Sequence, residues 1–318
     1  MVKDIDLIAV GYPSLDRIIK LNDTPSIGIT SIIQNSDNSK IYYGGCNVNI
    51  AYLGARLGLK SMPMMSVGAD FESTGFKEFL EDAGIDLDAI HRVDEDVTSN
   101  TYLVENSEGH HITLFYPGAM DSKYEFKIDK DIVKKAKYGV ITVGNTDYNM
   151  QFMRACNEEN IPVVFGMKCD FKAFPLDVLK VFLTSSNIIF TNEGEREEIE
   201  AQLGFDDISM LIHDGNAECI VVTKGINGSE VIYKEDDKVT SKQVSIAKPD
   251  KVVDSTGVGD AYMTGFIYGL INGKTYEQAG RIGTVVSSFI IEEMGCLTNI
   301  PSLIEIGERY KITYEEEL

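Results

Sequence analysis

The chain has 318 residues, enough for one large domain or a domain with an appendage, and able to bury a core without disulfide staples. Apolar residues make up 43% and charged ones 25%, a globular balance that excludes a disordered chain and a coiled-coil rod. With 29 basic against 50 acidic side chains, net -21, the surface repels phosphate backbones and anionic lipid, so neither nucleic acid nor a membrane is an expected partner.

In chain order, acids at Asp4 and Asp6 stand where a signal peptide would carry its apolar stretch, and nowhere do about 18 apolar residues run together, so a cytoplasmic location is expected. Asp6-Leu7-Ile8-Ala9-Val10-Gly11 is a short apolar run ended by glycine and followed by Pro13, the form of a buried strand entering a loop. Comparable runs recur at 61–67, 138–143, 162–165, 187–190 and 219–222. Helical spacing lies between them at 49–57, 74–83, 150–159 and 193–203. This alternation predicts an α/β fold with a mostly parallel sheet covered on both faces.

Residues 17–43 and 98–116 break the rhythm with β-rich stretches at 17–21, 30–34, 40–43, 101–105 and 111–116, and a turn signal at Asn106-Ser107-Glu108-Gly109. They are expected to pair, antiparallel, into a small second sheet that projects as a lid; extra strands on the main sheet are the alternative. The α/β unit would then comprise 1–16, 44–97 and 117–318, and the lid 17–43 and 98–116. No internal repeat stands out, and the tail 314–318 reads as a solvated charge run.

Five cysteines, at 46, 156, 169, 219 and 296, form no Cys-x-x-Cys and stand beside no histidine, so zinc spacing and a redox pair are absent. They read as buried or incidental thiols in a reducing compartment. The four histidines show no metal spacing and are assigned to the surface or the lid.

Chemistry concentrates in Val252-Val253-Asp254-Ser255-Thr256-Gly257-Val258-Gly259-Asp260-Ala261, followed by Phe266, Ile267, Leu270 and Ile271 on one helical face. A strand, a glycine turn and a helix start form an anion cradle: first-turn amides point at the site and glycines let phosphate approach. Asp260, in that first turn, is stabilised as a carboxylate by the helix dipole and stands where a base takes the proton of an attacking hydroxyl. The alternative is an acid serving only the dipole.

Tyr43-Gly44-Gly45-Cys46-Asn47-Val48-Asn49-Ile50-Ala51 repeats the order of strand, glycines and helix. Gly44 and Gly45 allow a small ligand against the backbone, and Asn49 offers a donor and an acceptor to vicinal hydroxyls. Asp16 can accept from the same hydroxyls or can be a loop or capping acid. Gly269-Leu270-Ile271-Asn272-Gly273-Lys274-Thr275 nearly spells a Walker A loop, but its glycines are one residue too close and it follows a helix, so it reads as a helix end.

In these motifs the chain resembles the ribokinase/PfkB carbohydrate and nucleoside kinases, over nearly its whole length. The resemblance implies a ribokinase-like three-layer sandwich with a β-sheet lid that closes over the substrate, and it implies ATP and Mg2+ as well as a small-molecule nucleoside or sugar. Asn192-Glu193-Gly194-Glu195 resembles the family's Asn-x-x-Glu motif, which implies that Asn192 and Glu195 place magnesium and phosphate through water; the residues alone read as a helix N-cap with first-turn acids. Val221-Val222-Thr223-Lys224-Gly225-Ile226-Asn227-Gly228 resembles the strand and loop beside the nucleotide, implying Thr223, Gly225 and Gly228 near ATP. Gly68-Ala69-Asp70 and Gly75 fall where the family has a Gly-x-Asp…Gly stretch.

Within the family the chain is most similar to bacterial-type adenosine kinases, through Phe115-Tyr116-Pro117-Gly118-Ala119-Met120 and the Gly-Val-Gly-Asp-Ala turn. Phe115 would stack on a purine or else pack the lid. The departure is Phe165-Gly166-Met167-Lys168-Cys169-Asp170, where those kinases carry Asp-Pro-Ser-Gln-Gln; Lys168 there would touch substrate or be solvated. The expected reaction moves the γ-phosphoryl of ATP to a hydroxymethyl group of a nucleoside, adenosine or another purine riboside favoured. Asp260 would take the proton, and the amides of Gly257, Val258 and Gly259 would neutralise phosphoryl charge. A sugar kinase of the ribokinase, fructokinase or 2-keto-3-deoxygluconate kinase type is the alternative, and a non-catalytic sensor a remoter one. A Rossmann oxidoreductase would need Gly-x-Gly-x-x-Gly after the first strand, which is absent. In some relatives a monovalent cation supports the cradle, and the lid's outer face would pair two copies into a homodimer.

Overall fold

The computed structural model describes residues 3–108, 110–167 and 174–318. Lys168, Cys169 and Asp170, singled out above, and Gly109 of the expected turn lie outside the described residues.

The chain opens with β1 (Ile5–Val10), β2 (Ser14–Lys20), β3 (Tyr42–Gly44), α1 (Cys46–Arg56), β4 (Ser61–Gly68) and α2 (Phe76–Asp82). Next come β5 (Ile90–Val93), β6 (Asn100–Glu105), β7 (His111–Tyr116), α3 (Lys130–Val133), β8 (Ala136–Ile141), α4 (Thr146–Glu158) and β9 (Val163–Gly166). It continues through α5 (Leu176–Ser185), β10 (Ile188–Asn192), α6 (Glu193–Leu203), α7 (Met210–Asp214), β11 (Cys219–Thr223), β12 (Ser229–Glu235) and β13 (Lys238–Val244). It closes with α8 (Val258–Ile271), α9 (Tyr276–Ile290) and α10 (Leu303–Tyr314). No helix among the described residues is long and apolar enough to cross a membrane.

Alternate residues of the inner strands bury on opposite faces, which is why these strands are continuously apolar. From β1, Ile8 and Val10 enter one core with Phe152 of α4 and Phe182 of α5. Leu7 and Ala9 enter the other, with Ile50 of α1 and Phe266 and Ile267 of α8. The resulting sheet, in the order β13-β12-β11-β10-β9-β8-β1-β4-β5, is parallel except at β12 and β13. That antiparallel edge hairpin turns through Asp236 and Asp237, whose φ of 46 and 61 match the twist of a tight hairpin. Helices on both faces complete the three layers expected from the strand and helix alternation.

A second sheet has the order β3-β2-β6-β7. Its register sets Asp16, Thr101 and Phe115 side by side on one face, and Arg17, Tyr102 and Leu114 on the other. Three expectations are corrected here. The pair β2–β6 is parallel rather than antiparallel, because the chain returns to β6 only after passing through β4, α2 and β5 of the main unit. Residues 30–34 form no strand and touch β2's end through one bridge, Leu21 to Ile33. Strand β2 begins at Ser14, so Asp16, assigned above to the α/β part, lies on the second sheet.

Candidate active site

Two helix starts converge at the carboxyl ends of the parallel strands, the crevice where open α/β sheets bind ligands. The first follows the 252–257 segment. That segment is not the strand expected: Val252 is 73% exposed, and the backbone is tied instead by Val253 N–H and Asp254 N–H donating to Ile291 O. Asp254 organises the turn, accepting from Thr256 N and Gly295 N, each at 2.9 Å. Burial alone would raise its pKa, but those donors outweigh burial and hold it below the usual carboxylate range. Gly257 caps α8 with φ 74, and a Cβ there would stand 2.2 Å from the Cβ of Cys296, so only glycine fits. Val258 N–H leans on Ser255 O at 3.4 Å, while a Cβ on Gly259 would meet nothing within 4 Å. Of the three turn residues expected to form the anion cradle, only Gly259 faces open space and walls the cleft beside Asp260; Gly257 packs on Cys296 and Val258 N–H is engaged within the turn.

The second helix start follows β3. Gly45, at φ 100, lets the turn pass Tyr12, whose carbonyl oxygen lies 2.1 Å from where a Cβ would be. Asp16 and Asn49 flank Gly44: a Cβ on it would stand 3.2 Å from Asp16 Oδ2 and 3.7 Å from Asn49 Oδ1. Ser14 Oγ donates to Asp16 Oδ1 and lies 2.6 Å from Thr101 Oγ1. Asn49, one turn into α1, is buried, and its Nδ2 donates to Asp260 Oδ2 at 2.8 Å. The two glycine motifs thus meet through a side-chain hydrogen bond.

Beside Asp260 lies a cleft of about 160 Å³ walled by Gly259, Asp260 and Met263 of α8, Cys46, Thr142, Val143, Gly166, Met167, Phe190, Thr191, Asn192, Glu195 and Thr223. Asn192 and Glu195 form a reciprocal cap: Glu195 N–H donates to Asn192 Oδ1 at 2.9 Å and Asn192 N–H to Glu195 Oε2 at 3.0 Å. The N-cap reading of these residues therefore holds, and the same two side chains line the cleft. Thr223 Oγ1 donates to Thr191 O at 3.3 Å. The Oγ1 of Thr191 is buried without a hydrogen-bond partner among the described residues. No group of three His, Cys, Asp or Glu side chains among the described residues is arranged to hold a metal by itself. The oxygens of Thr191, Asn192 and Glu195 suit a hydrated divalent cation that takes its remaining ligands from phosphate, so the wall fits such an ion.

Gly225 and Gly228 do not line this cleft. They close the loop after β11, through Lys224 N–H to Gly228 O at 2.7 Å and Gly228 N–H to Gly225 O at 3.1 Å. Phe115 is 45% exposed and its ring lies 4.8 Å from that of Tyr12, tilted by 59°. Several wall residues went unnoticed in the sequence. Thr142, Val143 and Thr191 sit at or just beyond strand ends, and the strand-end rule applied to the runs at 138–143 and 187–190 would have found them, while Gly166 and Met167 belong to the stretch already noted as a departure, with no role given to either. Cys296 had no such signal. The Walker-like stretch is a helix end as expected, with Gly273 at φ 75 after α8.

The profile of pfkB family carbohydrate kinases matches residues 14–303. A nucleoside kinase of Methanothermobacter thermautotrophicus is 30% identical over 311 residues, spanning 98% of this chain and 97% of its own. The crystal structure of Methanocaldococcus jannaschii nucleoside kinase, described as an archaeal member of the ribokinase family, superposes with a TM-score of 0.85 at 26% identity, covering 97% of this chain and 99% of that one. Arabidopsis thaliana ribokinase, solved with ribose and ATP, shares the fold at 22% identity with a TM-score of 0.84, covering 98% and 99%. A match this nearly end to end settles the family: the chain belongs to the pfkB carbohydrate kinases and is, with them, an ATP-dependent kinase whose acceptor is an alcohol.

Proposed function

We propose that the chain transfers the γ-phosphoryl group of ATP to a hydroxymethyl group of a nucleoside, with purine ribosides preferred. The observation that carries this reading is the hydrogen bond from Asn49 to Asp260, which joins the hydroxyl-binding motif to the carboxylate beside the anion turn. The nucleoside assignment draws on the Methanothermobacter and Methanocaldococcus kinases.

In this mechanism Asp16 and Asn49, both beside the space that a Cβ on Gly44 would take, hold the vicinal hydroxyls of the acceptor. Asp260 takes the proton of the attacking hydroxyl as the bond to the γ-phosphorus forms. The amides of Gly257, Val258 and Gly259 meet the charge gathering on the phosphoryl oxygens, in a cleft where the open side of Gly259 leaves room for them. Thr223 reaches the nucleotide from the cleft wall, and Gly225 and Gly228 shape the loop that flanks it. Magnesium, when bound, neutralises phosphate charge, and Asn192, Glu195 and Thr191 would hold it through its waters. We extend the proposal to the second sheet as a lid of residues 17–43 and 98–116, with Ser14 and Asp16 at its root; Phe115 stacks on the purine from its inner face. Its outer face, where Tyr102, Ile112, Leu114 and Tyr116 are exposed, pairs with a second copy of the chain.

The test is a coupled ADP-release screen over adenosine, inosine, guanosine, cytidine, ribose, fructose, fructose 6-phosphate and 2-keto-3-deoxygluconate, with Asp260→Asn as the blank. Purine ribosides should give the strongest signal. Silence from every nucleoside with turnover of a free sugar would replace this reading with a sugar kinase.

A further inference from the structure

We propose that Cys296 is a positioning residue for phosphoryl transfer: its thiol donates to Asn49 Oδ1 and so holds the Asn49 amide with its NH2 edge toward Asp260. The proposal rests on the roles given above to Asn49 and Asp260.

A primary amide has one donor edge and one acceptor edge, and a half-turn about its last torsion exchanges them. A carboxylate accepts only, so the productive state of Asn49 is the one with Nδ2 on Asp260 Oδ2, at 2.8 Å. The other edge then requires a donor, and the Cys296 S–H lies 3.0 Å from Asn49 Oδ1. Thiol and carboxylate select the same orientation from opposite ends. The flipped amide would set oxygen against carboxylate and leave both contacts unfavourable.

The thiol is well placed to serve as a lasting donor. Burial first, and then the negative charges of Asp260 and Asp16, push its ionisation far above the ordinary thiol range, so it keeps its proton at any working pH. Its location is also fixed. Gly295 N–H donates to Asp254 Oδ2, and the Cys296 Cβ fills the space that a side chain at Gly257 would need. The loop carrying the thiol is thereby locked to the anion turn, and cradle, base and amide form one assembly.

The test compares Cys296→Ala, which removes the donor, with Cys296→Ser, which keeps one, using wild type and Asp260→Asn as references. Both replacements are smaller than cysteine, so a purely space-filling role would affect them alike. We expect Cys296→Ala to lower kcat/KM for the acceptor about tenfold, with KM for ATP within about twofold of wild type, and Cys296→Ser to recover most of the loss. In an Asn49→Ala background, Cys296→Ala should have no further effect, since the thiol acts through that amide. Equal loss in the serine and alanine variants, or an alanine variant within about twofold of wild type, overturns the proposal. If the alanine variant does not fold, Cys296→Val, which fills the volume but cannot donate, is compared with serine on the same terms. Full activity in Asp260→Asn would instead overturn the assignment of the base, separately from the thiol.

Discussion

Asn49 donates from Nδ2 to Asp260 Oδ2 at 2.8 Å across 211 residues of chain. The bond exists because α1 and α8 pack together against the same face of the sheet, burying Ile50, Phe266 and Ile267 in one core and bringing their first turns level. The roles proposed for Asn49 and Asp260 would thereby fall on two helix starts rather than on a loop.

Asp260→Asn keeps the size of the side chain and removes its basicity. Turnover is expected to fall by about 10²–10⁴, with ATP and acceptor still bound in calorimetry. Turnover within about threefold of wild type would rule Asp260 out as the base.

Gly257 and Gly259 should respond oppositely to alanine. At Gly257, φ 74 and a Cys296 Cβ only 2.2 Å from the new atom add strain to a clash, so Gly257→Ala should cost about 1–3 kcal/mol in denaturant unfolding and impair turnover. At Gly259 the new methyl meets nothing within 4 Å. Gly259→Ala should therefore keep or slightly raise stability in the helix, by up to about 1 kcal/mol, while raising KM for ATP because it projects toward the cleft. A Gly259→Ala enzyme with unchanged ATP kinetics would place the phosphates elsewhere.

Asp96 supplies an acid-sensitive clasp between the units. Its carboxylate accepts from Tyr116 at the end of β7 and from Tyr124, each at 3.0 Å, and pairs with Lys123 at 2.9 Å. Burial pushes its pKa up, but Lys123, the Val97 amide and the two phenols outweigh that and bring it down to about 2. Because the folded value lies below the unfolded one of about 4, the stabilisation is complete above pH ~4 and is lost as pH falls through ~2. Asp96→Asn should lower Tm at neutral pH and flatten its fall between those limits. An unchanged acid limb would mean that other carboxylates govern it.

Leu114→Glu puts a charge on the outer face of the second sheet, beside exposed Tyr102. Sedimentation velocity should show a dimer for the wild type and a monomer for the variant. A wild-type monomer at every concentration would remove the pairing from the proposed function.

Much of this organisation was legible along the chain because it is written in local patterns. Short apolar runs marked β1, β4, β8, β9, β10 and β11, since a strand buried on both faces has no polar positions to interrupt it. The glycine turns before α1 and α8 were visible for the same reason: a helix start with small residues is a local event. Residues 252–253 misled, because two valines before a turn look like a strand; here both are exposed, and Val253 and Asp254 are tied to Ile291 through backbone bonds that no short pattern announces. The stretch 30–34 misled similarly, its β-branched residues finding no partner beyond one bridge.

By itself the sequence determined the strand and helix alternation, the two glycine motifs and the candidacy of Asp260, because each depends on neighbours within about one or two turns of chain. Only the tertiary structure decided that Asn49 meets Asp260, that Cys296 stands behind Asn49, and that Asp254 reaches Gly295. Those contacts join residues whose separation is set by helix packing on a sheet, and one or two ångströms in that packing decide whether a donor and an acceptor meet.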